Sequence, residues 1–294
     1  AECVEFWKPK AENLDAREIV DVLSVTGGVP RYLEEVDSGL SAEENIRRLC
    51  FRKEGVLFKD FDAIFNELFG ADVATKRKIL ELLSEGPLSG AEIASSLDFD
   101  RNGALTERLR ELFEGGFIDA DSGINPLTGE PQRVSRYRLR DNYTRFYLKY
   151  VAPKKNQVER GTYRFASLAA LPNWNAVMGL QFENLIVNNA MEVVSHFGIG
   201  NATIESAAPY RNRRKRRDGS AHGCQIDLLV QTPRTAYVVE VKRKNEMRER
   251  MKSLSLRQGM SKRAVLVYDG HLNPEVEGSG FFDVVLPMRM ILGL

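Results

Sequence analysis

The sequence has little of what most often announces chemistry. Its three cysteines (Cys3, Cys50, Cys224) show no CxxC spacing, and its three histidines (His196, His222, His271) lie far apart with no HExxH. Neither a disulfide framework nor a zinc ribbon is indicated. No apolar run approaches the ~20 residues that span a bilayer, and no signal peptide opens the chain. The expectation is a cytoplasmic protein with reduced thiols and no membrane partner. No GxxxxGKS or GxxxxGKT occurs, so no phosphate-cradling loop is present and no nucleotide is expected in this chain. Net charge is nearly absent too, at +1 from 42 Lys+Arg and 41 Asp+Glu.

What is present is an ordinary globular composition over 294 residues, 43% hydrophobic and 28% charged. That is enough to bury more than one core and gives a prior of roughly two domains. The small net charge conceals a gradient: 12 basic against 21 acidic side chains in residues 1–100, 13 against 10 in 101–200, and 17 against 10 in 201–294. A positive C-terminal third suits a polyanionic partner such as DNA, because neutralised phosphates supply most non-specific affinity. Solvated charged faces are the plainer alternative.

Four segments follow from pattern. Residues 1–70 read as helices: an amphipathic stretch from Leu14 to about Ser24, a break at Gly27-Gly28-Val29-Pro30, a short helix from Arg31 to Val36, and a start at Ser41 with Glu44 at capping-box spacing. Residues 71–140 read as three helices and a β-hairpin. Ile79, Leu80 and Leu83 stripe the first helix and Gly86-Pro87 ends it. Ser89 and Glu92 open the second, and Leu105, Leu109 and Leu112 fall at i, i+4 and i+7 in the third. That order is the winged helix-turn-helix order. Arg108 on the third helix, with Arg133, Arg136 and Arg138 on the returning strand, are candidate DNA contacts, although many winged helices bind proteins instead. Residues 141–172 form an aromatic connector (Tyr143, Phe146, Tyr147, Tyr150, Tyr163, Phe165), read as packing between domains in preference to a platform for bases.

The last segment, 173–294, carries the chemistry. A helix from Asn175 to about His196 contains Glu183. Thr203–Tyr210 reads as a strand, and Arg211, Arg213, Arg214, Lys215, Arg216 and Arg217 as a basic loop able to track a phosphate backbone. Strands follow at 225–230, 236–242, 263–269 and 281–286, with a charged helix over 245–258. In Val239-Glu240-Val241-Lys242 the valines share one face and the charged pair the other, and a hairpin brings Asp227 alongside Glu240. Two carboxylates beside one ammonium form a hard oxygen site suited to Mg²⁺ or Mn²⁺ and to phosphodiester hydrolysis. The competing reading is a surface ion pair between Glu240 and Lys242.

Asp227, twelve residues, then Glu240-Val241-Lys242 resembles the PD-(D/E)xK nuclease signature, with Gln225-Ile226 in place of the proline that often precedes the aspartate. The resemblance implies a restriction-endonuclease-like mixed-sheet domain. It makes Asp227 and Glu240 metal ligands, the Val241 carbonyl a further ligand, Lys242 the catalytic lysine, and Glu183 the glutamate that several such nucleases carry on the first core helix, where it helps to bind the metal. The fold class expected for the whole is thus α+β or α/β multidomain. Glu5-Phe6-Trp7, Thr26-Gly27-Gly28-Val29-Pro30-Arg31-Tyr32-Leu33, Arg140-Asp141-Asn142-Tyr143 with Phe146-Tyr147, and Gln157-Val158-Glu159-Arg160-Gly161 occur in one order. In that order the chain resembles the C-terminal portion of archaeal-type P-loop ATPases of prokaryotes. The resemblance implies that Gly28-Val29-Pro30 belongs to a helical lid, that a nucleotide-binding domain ordinarily precedes Ala1 as a missing partner, and that the chain itself hydrolyses no ATP. It leaves two functions open, a metal-dependent deoxyribonuclease module or a catalytically silent DNA- or protein-binding one. A homo-oligomer stays open as well.

Overall fold

In the computed structural model the chain divides into two compact units, residues 1–120 with 136–184, and 121–135 with 185–294. The described residues are 2–7, 15–98, 103–132, 136–200, 202–215, 221–241, 247–270, 272 and 274–294. The fold is mixed α and β, with one five-stranded mixed sheet, one two-stranded sheet and fifteen α-helices among the described residues. No described helix is long and apolar enough to cross a membrane.

The first unit is mostly helical: α1 (Glu2–Trp7), α2 (Ala16–Thr26), α3 (Pro30–Glu34), α4 (Ala42–Cys50), α5 (Val56–Phe69), α6 (Val73–Glu85), α7 (Gly90–Ser96) and α8 (Gly103–Glu114). A two-stranded sheet, β1 (Ile118–Asp121) with β2 (Arg136–Leu139), follows. Then come α9 (Asn142–Phe146), α10 (Lys155–Glu159) and α11 (Trp174–Asn188), whose residues from Leu185 onward count with the second unit. Local signals explain the helix starts. Ser89 and Glu92 close a complete capping box on α7. At α4 only the Ser41 half forms, because the Glu44 carboxylate turns to Arg47. Leu105, Leu109 and Leu112 all face the core, as their spacing predicts. Leu88 bridges Tyr137, adding a third short strand contact to the β1–β2 pair.

Three of the motifs quoted for the ATPase resemblance, around Trp7, Gly27–Leu33 and Asp141–Tyr143, meet inside this unit. Trp7 donates its indole N–H to the Leu33 carbonyl at 2.8 Å. Pro30 opens α3, where its fixed φ fits and its missing N–H costs nothing. Gly27 ends α2 at φ +68°, and a Cβ there would lie 2.9 Å from Asp141 Oδ1, so backbone conformation and space both demand glycine. The aromatic connector packs against α5: Phe61 stacks on Tyr147 with centroids 4.2 Å apart, and Phe51 meets Phe146, Tyr163 and Phe165. Phe146 and Tyr147 are fully buried, whereas Tyr163 and Phe165 are half-buried.

Asp62 of α5 accepts from the Tyr147 hydroxyl at 2.9 Å and Arg77 at 3.0 Å, and pairs with Lys155. Burial works against its charge, but hydrogen bonds from Lys155 and Tyr147, with the charges of Lys155 and Arg77, outweigh burial and hold the carboxyl below the usual range. A folded value below the unfolded one means stabilisation that is complete above the unfolded pKa and lost as pH falls through the folded value. The melting-temperature gap between the parent and Asp62→Asn is therefore expected to narrow below about pH 4. A gap that stays constant from pH 7 down to pH 3 would contradict this.

The second unit holds α12 (Ala190–Ser195) and the sheet β3 (Ser206–Lys215), β4 (Ala221–Gln231), β5 (Thr235–Val241), β6 (Ser261–Tyr268) and β7 (Val284–Pro287), in that spatial order. Helices α13 (Met247–Ser253), α14 (Pro274–Glu277) and α15 (Met288–Leu292) complete it. β3, β4 and β5 are antiparallel neighbours, whereas β5–β6 and β6–β7 are parallel pairs joined through α13 and α14. Residues 121–135 belong to this unit. Gln231 donates to the Ile124 carbonyl at 2.7 Å, the Arg257 N–H to the Pro126 carbonyl at 2.8 Å, and the Ile124 N–H to Ser206 Oγ at 3.3 Å.

Several boundaries differ from the sequence pattern. The expected helix over 175–196 is two helices, because Asn189 leaves helical backbone between them. The basic run expected as a loop lies on strand through Lys215, where Arg211, Arg213, Arg214 and Lys215 register against Gln225, Gly223, His222 and Ala221. Hairpin pairing, which supplies partners to the backbone groups that face β4, overrides the loop that charge density suggests.

Candidate functional site

Asp227 and Glu240 end on adjacent strands. The β4–β5 register pairs Leu228 with Val239, so one step further sets Asp227 opposite Glu240, as the hairpin reading requires. The β3–β4 ladder slips there as well. Ala208 faces Leu229 but Tyr210 faces Ile226, so β4 carries an extra residue at Asp227–Leu228 against Pro209. Proline cannot donate to the ladder, and a bulge re-aims the side chain beside it. Here that side chain is Asp227.

Both carboxylates are buried, Glu240 at 2% and Asp227 at 9% exposure. The strand around them is apolar throughout: Val238, Val239 and Val241 are buried with Glu240, so the valine face and the charged face of the sequence reading are both inside. Glu240 is thus no surface residue. Asp227 Oδ2 accepts from the Val241 N–H at 2.9 Å, which orients the carboxylate and leaves Oδ1 facing Arg250. The Arg250 Nη1 lies 2.5 Å from Glu240 Oε2 and 3.5 Å from Asp227 Oδ1. Burial pushes the Asp227 carboxyl up, against the Val241 N–H and the charges of Arg250 and Arg211, which pull it down, and the net shift is upward.

Helix α13 delivers Arg250. Met247, Arg250, Met251 and Leu254 recur at i, i+3, i+4 and i+7, hence on one face. Met247 and Leu254 are buried in the cluster that Ile226, Leu229, Ala236, Val238 and Ala264 form, with Met251 packed on it. The Cys224 thiol donates to the Arg250 carbonyl at 3.4 Å, and Lys262 to the Met251 carbonyl at 2.5 Å. The arginine is therefore the charged member of an otherwise apolar stripe. Sequence reasoning passed over it as part of a charged helix. A cation interrupting an apolar i, i+3, i+4, i+7 stripe is a sequence signal, but it does not name the partners.

Of the other candidates, Lys242, Arg216, Arg217 and Arg133 lie outside the described residues. Arg211 is half-buried, and its charge acts on Asp227. Glu183 belongs to the first unit, where its charge acts on Arg145. The arginines expected to face phosphate from the β1–β2 pair are drawn inward instead. Arg136 bonds to the Pro87 carbonyl and to Glu92, and buried Arg138 meets Asp119 at 2.7 Å and Asn184. Acidic partners inside the unit neutralise both. Arg108 pairs with Asp72 at 2.8 Å.

The donor set of Asp227 and Glu240 is that of a hard cation, and its two oxygens already converge on a single positive centre. Among the described residues no cluster of three or more His, Cys, Asp or Glu could hold a metal ion.

No family model matches the chain. Among curated proteins it is 28% identical over 168 residues to an uncharacterized protein of Methanocaldococcus jannaschii, a match covering 57% of this chain and 36% of that protein. The chain thus spans about a third of the length of the relative that it matches. Among solved structures it is similar to a protein of Vibrio cholerae, at a TM-score of 0.31 and 12% identity over 80% of this chain and 52% of that one.

Proposed function

We propose that the second unit is a metal-dependent nuclease-type module acting on DNA, in a chain that forms the C-terminal part of an ATPase-type protein. The observation that carries it is the convergence of Asp227 and Glu240, buried and bulge-aimed, on one cationic centre. The D…ExK spacing supports the same reading. Asp227 and Glu240 would hold Mg²⁺ or Mn²⁺, with the Val241 carbonyl as a further ligand. A divalent ion supplies Lewis-acid polarisation of a phosphoryl oxygen and makes water more acidic. Lys242 would offset charge developing on the phosphoryl group. The order α6, α7, α8, β1, β2, with the Leu88–Tyr137 bridge, supports a winged helix over 71–140. With Arg136 and Arg138 engaged internally, the basic run from Arg211 to Arg217 is the stronger candidate for the phosphate contacts.

Plasmid and single-stranded DNA incubated with Mg²⁺ or Mn²⁺ test this. Cutting by the parent is expected to fall by about two to four orders of magnitude in Lys242→Ala. A variant as fast as the parent sinks the mechanism. One observation favours a second reading, a binding module without chemistry: Arg250 already gives the carboxylates a cation. DNA bound but never cut, with no Asp227-dependent metal affinity, would select that reading.

A further inference from the structure

The nitrogen that lies between the two carboxylates belongs to a side chain, and this has a chemical consequence. Two buried carboxylates need compensating positive charge, since each unpaired one would pay a desolvation cost of several kcal/mol. Arg250 supplies it through Nη1, which contacts Glu240 Oε2 and Asp227 Oδ1. A cation bridging the two carboxylates through these facing oxygens would take the same place, with Asp227 Oδ2 held by the Val241 N–H. A divalent ion and the guanidinium cannot share that space.

The surroundings fix the backbone of Arg250 and leave its side chain a way out. Met247 and Leu254 anchor both ends of the α13 face in the core, and the Cys224 thiol and the Leu254 N–H hold the Arg250 carbonyl. The Arg250 side chain keeps 16% exposure, so it is not fully enclosed. A flexible stem on a fixed Cα can swing toward solvent without moving the helix.

We propose that Arg250 is an internal cation that holds the carboxylate pair when no divalent ion is bound and must leave for one to bind, so that metal loading and Arg250 release are a single exchange. The proposal rests on the reading of Asp227 and Glu240 as cation ligands. It leaves the carboxylate pair partly compensated at low metal, with its geometry preserved, and sets the metal affinity lower than the bare carboxylates would give. Arg250 is a positioning and competing residue in this scheme.

The experiment is Mn²⁺ titration of the full chain by calorimetry, beside melting curves in EDTA and in Mn²⁺, for the parent, Arg250→Gln, Arg250→Lys and Asp227→Asn. A charge-assisted hydrogen bond removed from the metal-free state corresponds to about a 10- to 100-fold change in equilibrium. Arg250→Gln is therefore expected to bind Mn²⁺ about 10- to 100-fold more tightly than the parent, to melt lower in EDTA, and to regain its melting temperature in Mn²⁺. Arg250→Lys, which keeps the charge as a more mobile point contact, is expected to fall between the two and serves if the glutamine variant does not fold. Mn²⁺ affinity unchanged or weakened in the arginine variants overturns the exchange while leaving the metal site standing. No Asp227-dependent Mn²⁺ binding in the folded parent or variants overturns the cation-site reading and the exchange together.

Discussion

Replacing Gln181 with leucine is expected to destabilise the first unit by about 3–5 kcal/mol, although no charge is removed and little volume changes. Gln181 is fully buried on α11. Its amide nitrogen donates to the carbonyls of Ser24 and Asn142, both at 2.7 Å, and its oxygen accepts from Arg145 at 2.5 Å. Leucine keeps the packing and strands all three partners. Arg145 matters most. Its guanidinium is pushed down to about 10 by burial and by the charge of Arg138, against the pull of Asp141 and Glu183. Its remaining described partner is the Leu139 carbonyl at 3.1 Å. For a unit of this size each kcal/mol moves the midpoint by about 2–4 °C, so a fall of roughly 10 °C should appear in a calorimetric scan. A loss under about 1 kcal/mol would show that the network contributes little net energy.

The second large effect is on Glu240. Glu240→Ala leaves Arg250 with only the 3.5 Å contact to Asp227 among its described carboxylate partners, and breaking a buried pair in this way costs about 3–5 kcal/mol. Since Arg250 can reach solvent, the lower end of that range is expected. Glu240→Leu combined with Arg250→Met replaces the pair with apolar groups of similar size, and such swaps are often neutral or stabilising. The double variant is therefore expected to come within about 1 kcal/mol of the parent in urea midpoint, with Asp227 free to take up a proton. Mn²⁺ binding should be lost in the same protein. Stability recovered and affinity lost would assign the pair to chemistry. A double variant no more stable than Glu240→Ala would assign it to the fold.

How much could be read in advance follows the range of each interaction. The Leu105, Leu109, Leu112 stripe, the Ser89–Glu92 box and the strands around Val230, Val239 and Val265 are local patterns, and each element formed about where its pattern lies. Asp227 opposite Glu240 was legible because a hairpin register follows from turn length. Arg250 was not, since its partners are reached through a crossover that no periodicity encodes. Nor was the Gln181 hub, whose partners lie up to 157 positions away. Charge density suggested a loop where strand pairing formed, in the basic run as far as Lys215.

The segment 121–135 has a practical corollary. It leaves the first unit after Ala120, serves the second, and returns to the first at Arg136, so the chain passes between units three times. A C-terminal fragment begun near residue 173 would contain every strand of the large sheet and still be unfinished. Gln231 and Arg257 would lose the carbonyls of Ile124 and Pro126, and Ser206 its donor. During synthesis, residues 121–135 emerge long before β3 through β7 and wait for them. The second unit is thus assembled from two separated stretches of the gene, and neither stretch alone encodes it.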